Sequence, residues 1–130
     1  MANILLYIKS EQLDWVFSHG DVGTGQKNFQ GMARPGDLVF VLSTSHDGLT
    51  IFGEIPVAET YVDEEYPHGW KYRVRASEGG AVRYPTGVLL RGVKTNLTLL
   101  KGVKRIWPKV RYCCKITDED AKIIRESGGI

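Results

Sequence analysis

The residue pattern predicts an α+β domain: a closed or nearly closed sheet of about six short strands, flanked by two or three short helices. Three stretches carry that expectation. Leu38-Val39-Phe40-Val41-Leu42 is too short for an ordinary helix and rich in β-branched and aromatic residues, so it reads as a strand buried on both faces. Ser43 to Gly48 is a polar turn ending in Asp-Gly, a strong hairpin signal. Trp70 to Ala76 alternates cleanly, with Trp70, Tyr72, Val74 and Ala76 on one face and Lys71, Arg73 and Arg75 on the other.

Taken in order, Asn3 to Ile8 is a short apolar strand. Ser10 is placed to cap a short helix with Asp14 early and an apolar side of Leu13, Trp15, Val16 and Phe17, ended by His19-Gly20. Asp21 to Gly31 is glycine-rich, polar and aperiodic, and reads as a binding loop with one aromatic, Phe29. Pro35-Gly36-Asp37 is a turn, because proline presets φ and glycine admits what other residues resist. After the hairpin a second strand runs from Thr50 to about Tyr61, bending at Gly53 and Pro56. Glu64 to Gly69 is a turn, Ala81 to Tyr84 a short strand, and Asn96 to Leu100 a candidate short helix. Gly102 to Pro108 is a basic loop or strand end, and Val110 to Ile116 a last strand. Thr117 caps a final helix whose first turn holds Asp118, Glu119 and Asp120, with Ile123 and Ile124 toward the core and Gly128-Gly129 at its end.

One domain, residues 1–130, accommodates the length. No apolar run approaches the roughly 20 residues that span a bilayer, and the first residues lack the basic start and cleavage site of a signal peptide, so a cytoplasmic protein without membrane partners is expected. Charge is uneven. Between Gly79 and Thr117 there is no Asp or Glu, yet Arg83, Arg91, Lys94, Lys101, Lys104, Arg105, Lys109, Arg111 and Lys115 all occur. Such a region attracts phosphates, or is simply a solvated face.

Motifs for catalysis are missing. His19, His46 and His68 are far apart and none stands at ligand spacing to another donor; nor is there a P-loop, a Rossmann glycine pattern or a nucleophile elbow. Cys113 and Cys114 lie adjacent in a strand, so one is expected in the core as a structural thiol. Asp37, Glu54 and Asp63 are a conceivable acid cluster, though the turn accounts for Asp37 and a strand end for Asp63. No catalytic residue, metal or cofactor is expected.

The order of short motifs resembles the EVE family, PUA-like relatives of the YTH domains. The residues concerned are the Pro35-Gly36-Asp37 turn, the apolar strand and polar hairpin, Ile51-x-Gly53-Glu54, Tyr61-Val62-Asp63 and Trp70 to Arg75. Lys9-Ser10-Glu11 matches the family's "KSE", and Asn28-Phe29-Gln30 resembles its "N-Y-Q". The basic run up to Trp107 and the closing Thr117 to Ile124 match the ends of shorter members. The resemblance implies a PUA-like β-barrel and a pocket beside the first strand, where YTH members hold a flipped, methylated base between aromatic walls. Many bacterial EVE domains carry Trp-Asp-Gly where this chain has Val22-Gly23-Thr24-Gly25, so that wall is missing here or supplied by Phe29 or Trp107.

The expectation is therefore a non-enzymatic module that binds DNA or RNA and reads a modified base. Lys9, Ser10, Asn28, Phe29 and Trp107 are the candidate base pocket, and Lys104, Arg105 and Lys109 the candidate phosphate contacts. Ser10 is equally explained as a helix cap and Phe29 as a core anchor, while Trp15 and Trp70 read as core. A nuclease or helicase is the protein partner expected beside such a reader. The rival reading is a regulatory domain that takes a nucleoside or nucleotide; an enzyme using Asp63 and His68 is the third.

Overall fold

Eight strands in two sheets, with five short α-helices, make up the computed structural model, which describes residues 1–130. The strands are β1 Asn3–Tyr7, β2 Asp21–Thr24, β3 Leu38–Ser45, β4 Gly48–Pro56, β5 Glu59–Val62, β6 Tyr72–Arg75, β7 Val82–Leu89 and β8 Cys114–Ile116. The helices are α1 Leu13–His19, α2 Asn28–Met32, α3 Leu90–Val93, α4 Ile106–Val110 and α5 Asp118–Ser127, with 3-10 turns at Ser10–Gln12, Pro67–Gly69 and Thr98–Leu100.

One sheet has the order β7-β4-β3-β1-β8 and the other β2-β6-β5. The architecture is α+β, but the expected PUA-like closed barrel of about six strands is not what forms. The reason lies in β1 and β3. Along β3, Val39 and Val41 point into one core, while Leu38, Phe40 and Leu42 point into a second core on the opposite face. β1 divides the same way, Ile4 and Leu6 against Leu5. A barrel strand buries one face inside the barrel, whereas these strands need a covering layer on each side. The three-stranded sheet with α1 and α2 covers one face through Val22, Val74, Val16 and Phe29. Residues of α3, α4 and α5 cover the other, with Leu90, Val110 and Ile124 all buried.

The extra strands come from two places. Asp21 to Thr24, expected as loop, pairs with β6 as an edge strand, and Asn28–Met32 is helical. Gly23 makes the pairing possible: a Cβ there would stand 2.6 Å from the Tyr72 carbonyl oxygen and 2.8 Å from Arg73 Cγ. The strand expected from Thr50 to Tyr61 breaks at Pro56, which has no N–H to continue a ladder. At the break Val57 N–H donates to Asp37 O (2.8 Å) and Ala58 N–H to Arg75 O (2.8 Å), carrying the chain from the first sheet to the second. The bend at Gly53 is real, since the β4–β7 register shifts between Ile51 and Gly53.

Three further elements differ from expectation. The final strand is only Cys114–Ile116, β7 runs on to Leu89, and the basic segment holds α4 with Pro108 inside its first turn, where no N–H is missed. Ser10 makes no side-chain cap; Gln12 Oε1 instead accepts from the Lys9 N–H (3.3 Å). At α5 the cap is as the sequence reads, with Asp120 N–H donating to Thr117 Oγ1 (3.1 Å).

Candidate functional site

The β1–β3 pair ends where the chain turns into the first 3-10 segment. Ile8 N–H donates to Leu42 O (2.9 Å) and Ser43 Oγ donates to Ile8 O (2.7 Å), which anchors the exit of β1 and fixes where Lys9 emerges. Beside that exit lies a groove of about 310 Å³. Tyr7, Lys9 and Gln12 form one side, Thr24 and Gly25 a second, and His68 and Trp70 a third. No carboxylate lines it, so its polar groups are a cation, amide and hydroxyl donors and an imidazole.

The wall containing His68 is held in an unusual backbone. Tyr66 (φ 53°) and His68 (φ 60°) are the two non-glycine residues with left-handed φ, a conformation that costs side-chain-bearing residues energy and gathers at functional loops. Gln12 Nε2 donates to the His68 carbonyl (3.2 Å), joining this loop to the β1 exit. The His68 ring leans on Trp15 (4.5 Å between centroids) and Trp70 (5.1 Å), and Trp15 stacks on His19 at 4.3 Å. Trp70 is buried and Trp15 half-buried against the first core, in keeping with their reading as packing residues; Trp70 nonetheless presents an edge to the groove.

At the outer rim, Trp107 of α4 packs edge-on against Tyr7, with ring centroids 4.7 Å apart. Trp107 keeps 42% of its surface exposed. On either side of it stand Lys104, Arg105 and Lys109, all exposed and none in an ion pair. The groove and the aromatic pair are therefore contiguous through Tyr7, and the cations flank Trp107 in the sequence.

Three solved structures share this architecture. The chain is similar to a crystal structure of a protein from Agrobacterium tumefaciens at 16% identity and a TM-score of 0.65, covering 100% of this chain and 94% of that one. A hypothetical protein from Leishmania major is similar at 14% identity and 0.68, over 99% and 95%. An NMR structure from Rhodopseudomonas palustris is similar at 20% identity and 0.64, over 99% and 94%. At these identities the likeness is one of fold. No family model matches the chain, and no curated protein matches it.

Of the residues singled out by sequence, the structure brings Lys9 into the groove and Trp107 to its rim. Ser10 is exposed and outside the lining. Asn28 is outside it too, its Oδ1 accepting from the Cys113 thiol (3.5 Å). Phe29 is corrected outright as a stacking wall: it is 1% exposed and anchors α2 in the first core. Its ring instead borders a separate small cavity of about 190 Å³ under Tyr61, Tyr72 and Arg73. Tyr7, Gln12, Thr24 and Gly25 were not foreseen as lining residues. The one signal for the Thr24-Gly25 side was its position in a glycine-rich segment.

The conceivable acid cluster does not assemble. Asp37 accepts from the N–H groups of Ala2 (2.8 Å) and Arg34 (3.0 Å), Glu54 is buried with Tyr84 and Arg125, and Asp63 pairs with Arg73 (3.1 Å). No three His, Cys, Asp or Glu side chains converge as a metal site would require. Cys113 is buried and Cys114 half-buried, and burial pushes both thiols up, the direction opposite to an activated nucleophile. No helix is long and apolar enough to cross a membrane.

Proposed function

We propose that this protein is a cytoplasmic, non-enzymatic nucleic-acid reader of the EVE type, which takes one modified base into the groove beside β1. The observation that carries the reading is the contiguity of a carboxylate-free groove, large enough for a nucleobase, with the exposed Trp107, whose sequence neighbours Arg105 and Lys109 are unpaired cations. A base leaving its stack loses a few kcal/mol, and stacking on aromatic rings returns roughly 1–3 kcal/mol per base. Tyr7 and Trp107 supply those rings. Lys9, Gln12 and Thr24 supply hydrogen-bond donors for an acceptor on the base edge, and Arg105 and Lys109 face the phosphates that follow. A methyl group on the base adds apolar contact worth up to about 1 kcal/mol.

The test is a low-salt titration, read by tryptophan fluorescence, with matched oligonucleotides that are unmodified or carry N6-methyladenine or 5-methylcytosine. The expected result is preference for one modified strand. In Trp107→Ala, binding should weaken by roughly 5- to 150-fold, the equivalent of one lost stacking contact. Failure of every strand to bind at low salt overturns the reading. Stabilisation by free nucleosides without strand binding would replace it with a small-ligand regulatory domain, for which the groove volume is also adequate.

A further inference from the structure

A second basic feature lies apart from the groove. Lys94 follows α3, and the chain then forms the Thr98–Leu100 3-10 turn and a tight turn at Lys101-Gly102 before reaching Lys104. These residues line a hollow of about 490 Å³ whose ionisable groups are Lys94, Lys101 and Lys104. None of the three lysines makes an ion pair. Like charges gathered around one hollow repel, so the arrangement is relieved by an anion.

The hollow is built, not a chance meeting of flexible side chains. Val103 N–H donates to Leu100 O (3.0 Å), closing a turn with Lys101 at φ −62°, ψ 123° and Gly102 at φ +75°, which favours glycine. The preceding 3-10 turn is clamped from below by Asp120, buried in α5, whose two carboxylate oxygens accept from Thr98 N–H (2.8 Å) and Leu99 N–H (2.9 Å). Both oxygens of that carboxylate are engaged by the backbone. Lys94 is half-buried, so part of its stem is already ordered. The backbone N–H groups of Gly102 and Lys104 have no partner within the protein, and they add two donors to the three ammonium groups.

We propose that this hollow is a second anion site, which seats the phosphodiester backbone of the strand whose base occupies the groove. This rests on the reading given above for the source of the phosphate, not for the anion site itself. Lys104 and Trp107 are three residues apart, so their Cα atoms are at most about 11 Å from each other. About three nucleotides at the 3.4 Å duplex rise span that distance, and more if the strand compacts. A mononucleotide confined to the groove therefore misses the hollow, and longer strands reach it.

Two measurements test the site separately from base reading. Inorganic tripolyphosphate added to the 15N-labelled protein should shift the amide resonances of Gly102 and Lys104, and Lys94→Gln/Lys101→Gln should abolish those shifts. Unmoved amides overturn the anion site. The second measurement compares a nucleoside 5′-monophosphate with a 12-mer across a salt series. The double variant should reduce the salt slope for the 12-mer by about 1.4, at about 0.7 per phosphate contact on a single strand, and leave the mononucleotide unchanged. Equal slopes for wild type and variant on the 12-mer overturn the shared-strand proposal while the groove reading stands. Tripolyphosphate shifts with no strand binding would sustain the anion site and overturn its link to nucleic acid.

Discussion

Arg73 joins three strands through one guanidinium. Its Nε and Nη2 both reach Asp21 Oδ1 of β2 (3.0 and 2.9 Å), and its Nη1 reaches Asp63 Oδ2 beyond β5 (3.1 Å). Arg73 is 6% exposed and Asp21 3% exposed. Tyr61 donates to the second Asp21 oxygen, which also accepts from Arg75 Nε (3.3 Å). Removing one member of such a set leaves the other charge buried without its partner, so Arg73→Met should destabilise the fold by about 3–5 kcal/mol. Urea unfolding measures it, and a loss below about 1 kcal/mol would mean that Arg75 and Tyr61 carry Asp21 unaided. Exchanging Asp21→Asn in that background should recover part of the loss, because the uncompensated charge is then gone. The alternation of Trp70 to Ala76 placed Arg73 on the polar face, yet Arg73 is buried while Arg75 on the same face is exposed. Nothing local shows that Asp21, 52 residues away, neutralises it.

At the scale of elements, what was legible follows how far each signal reaches along the chain. β3, the hairpin at Asp47-Gly48, α1 with Gly20 at its end and the Thr117-capped α5 all carry their determinants within a few residues. β2 does not: its four residues are all buried, but Gly23 is chosen for the closeness of β6 and Asp21 for its arginines, so the segment reads as loop. The candidate groove divides in the same way. Lys9 and Trp107 could be named from local motif and composition, whereas Tyr7, Thr24 and His68 meet only through tertiary packing. Gly53 tests the element scale. A Cβ there would stand 2.2 Å from Val82 O and 2.6 Å from Phe17 Cε1, both in packed surroundings. Gly53→Ala should therefore cost about 1–3 kcal/mol by overpacking and disturb the β4–β7 register. A chemical-denaturation midpoint equal to wild type would show that β7 moves aside freely.

Across the whole molecule, side-chain polar groups act at two places. The Asp21–Arg73 group joins the strands of the second sheet to one another, whereas α5 is tied to the central sheet through Glu54 of β4, which accepts from Arg125 Nε (2.9 Å) and from Tyr84 Oη of β7 (2.7 Å). Burial, and then the hydrogen bond to Glu54, push the Tyr84 hydroxyl well above the ordinary tyrosine value of 10.0. Tyr61, Cys113 and Cys114 move in the same direction, each with burial as the first cause. A raised value for a group that is neutral when protonated means that the native state keeps its proton while the unfolded chain releases it. Stability from Tyr84 is thus fully present below pH 10 and falls as pH rises beyond it, by about 1.4 kcal/mol per pH unit while the native hydroxyl stays protonated. Urea midpoints at pH 9, 10 and 11 should fall more steeply for wild type than for Tyr84→Phe, whose side chain has no proton to lose. The thiols and Tyr61 contribute to both curves, so the difference between them isolates Tyr84. Parallel curves would mean that Tyr84 ionises as readily in the fold as in the unfolded chain.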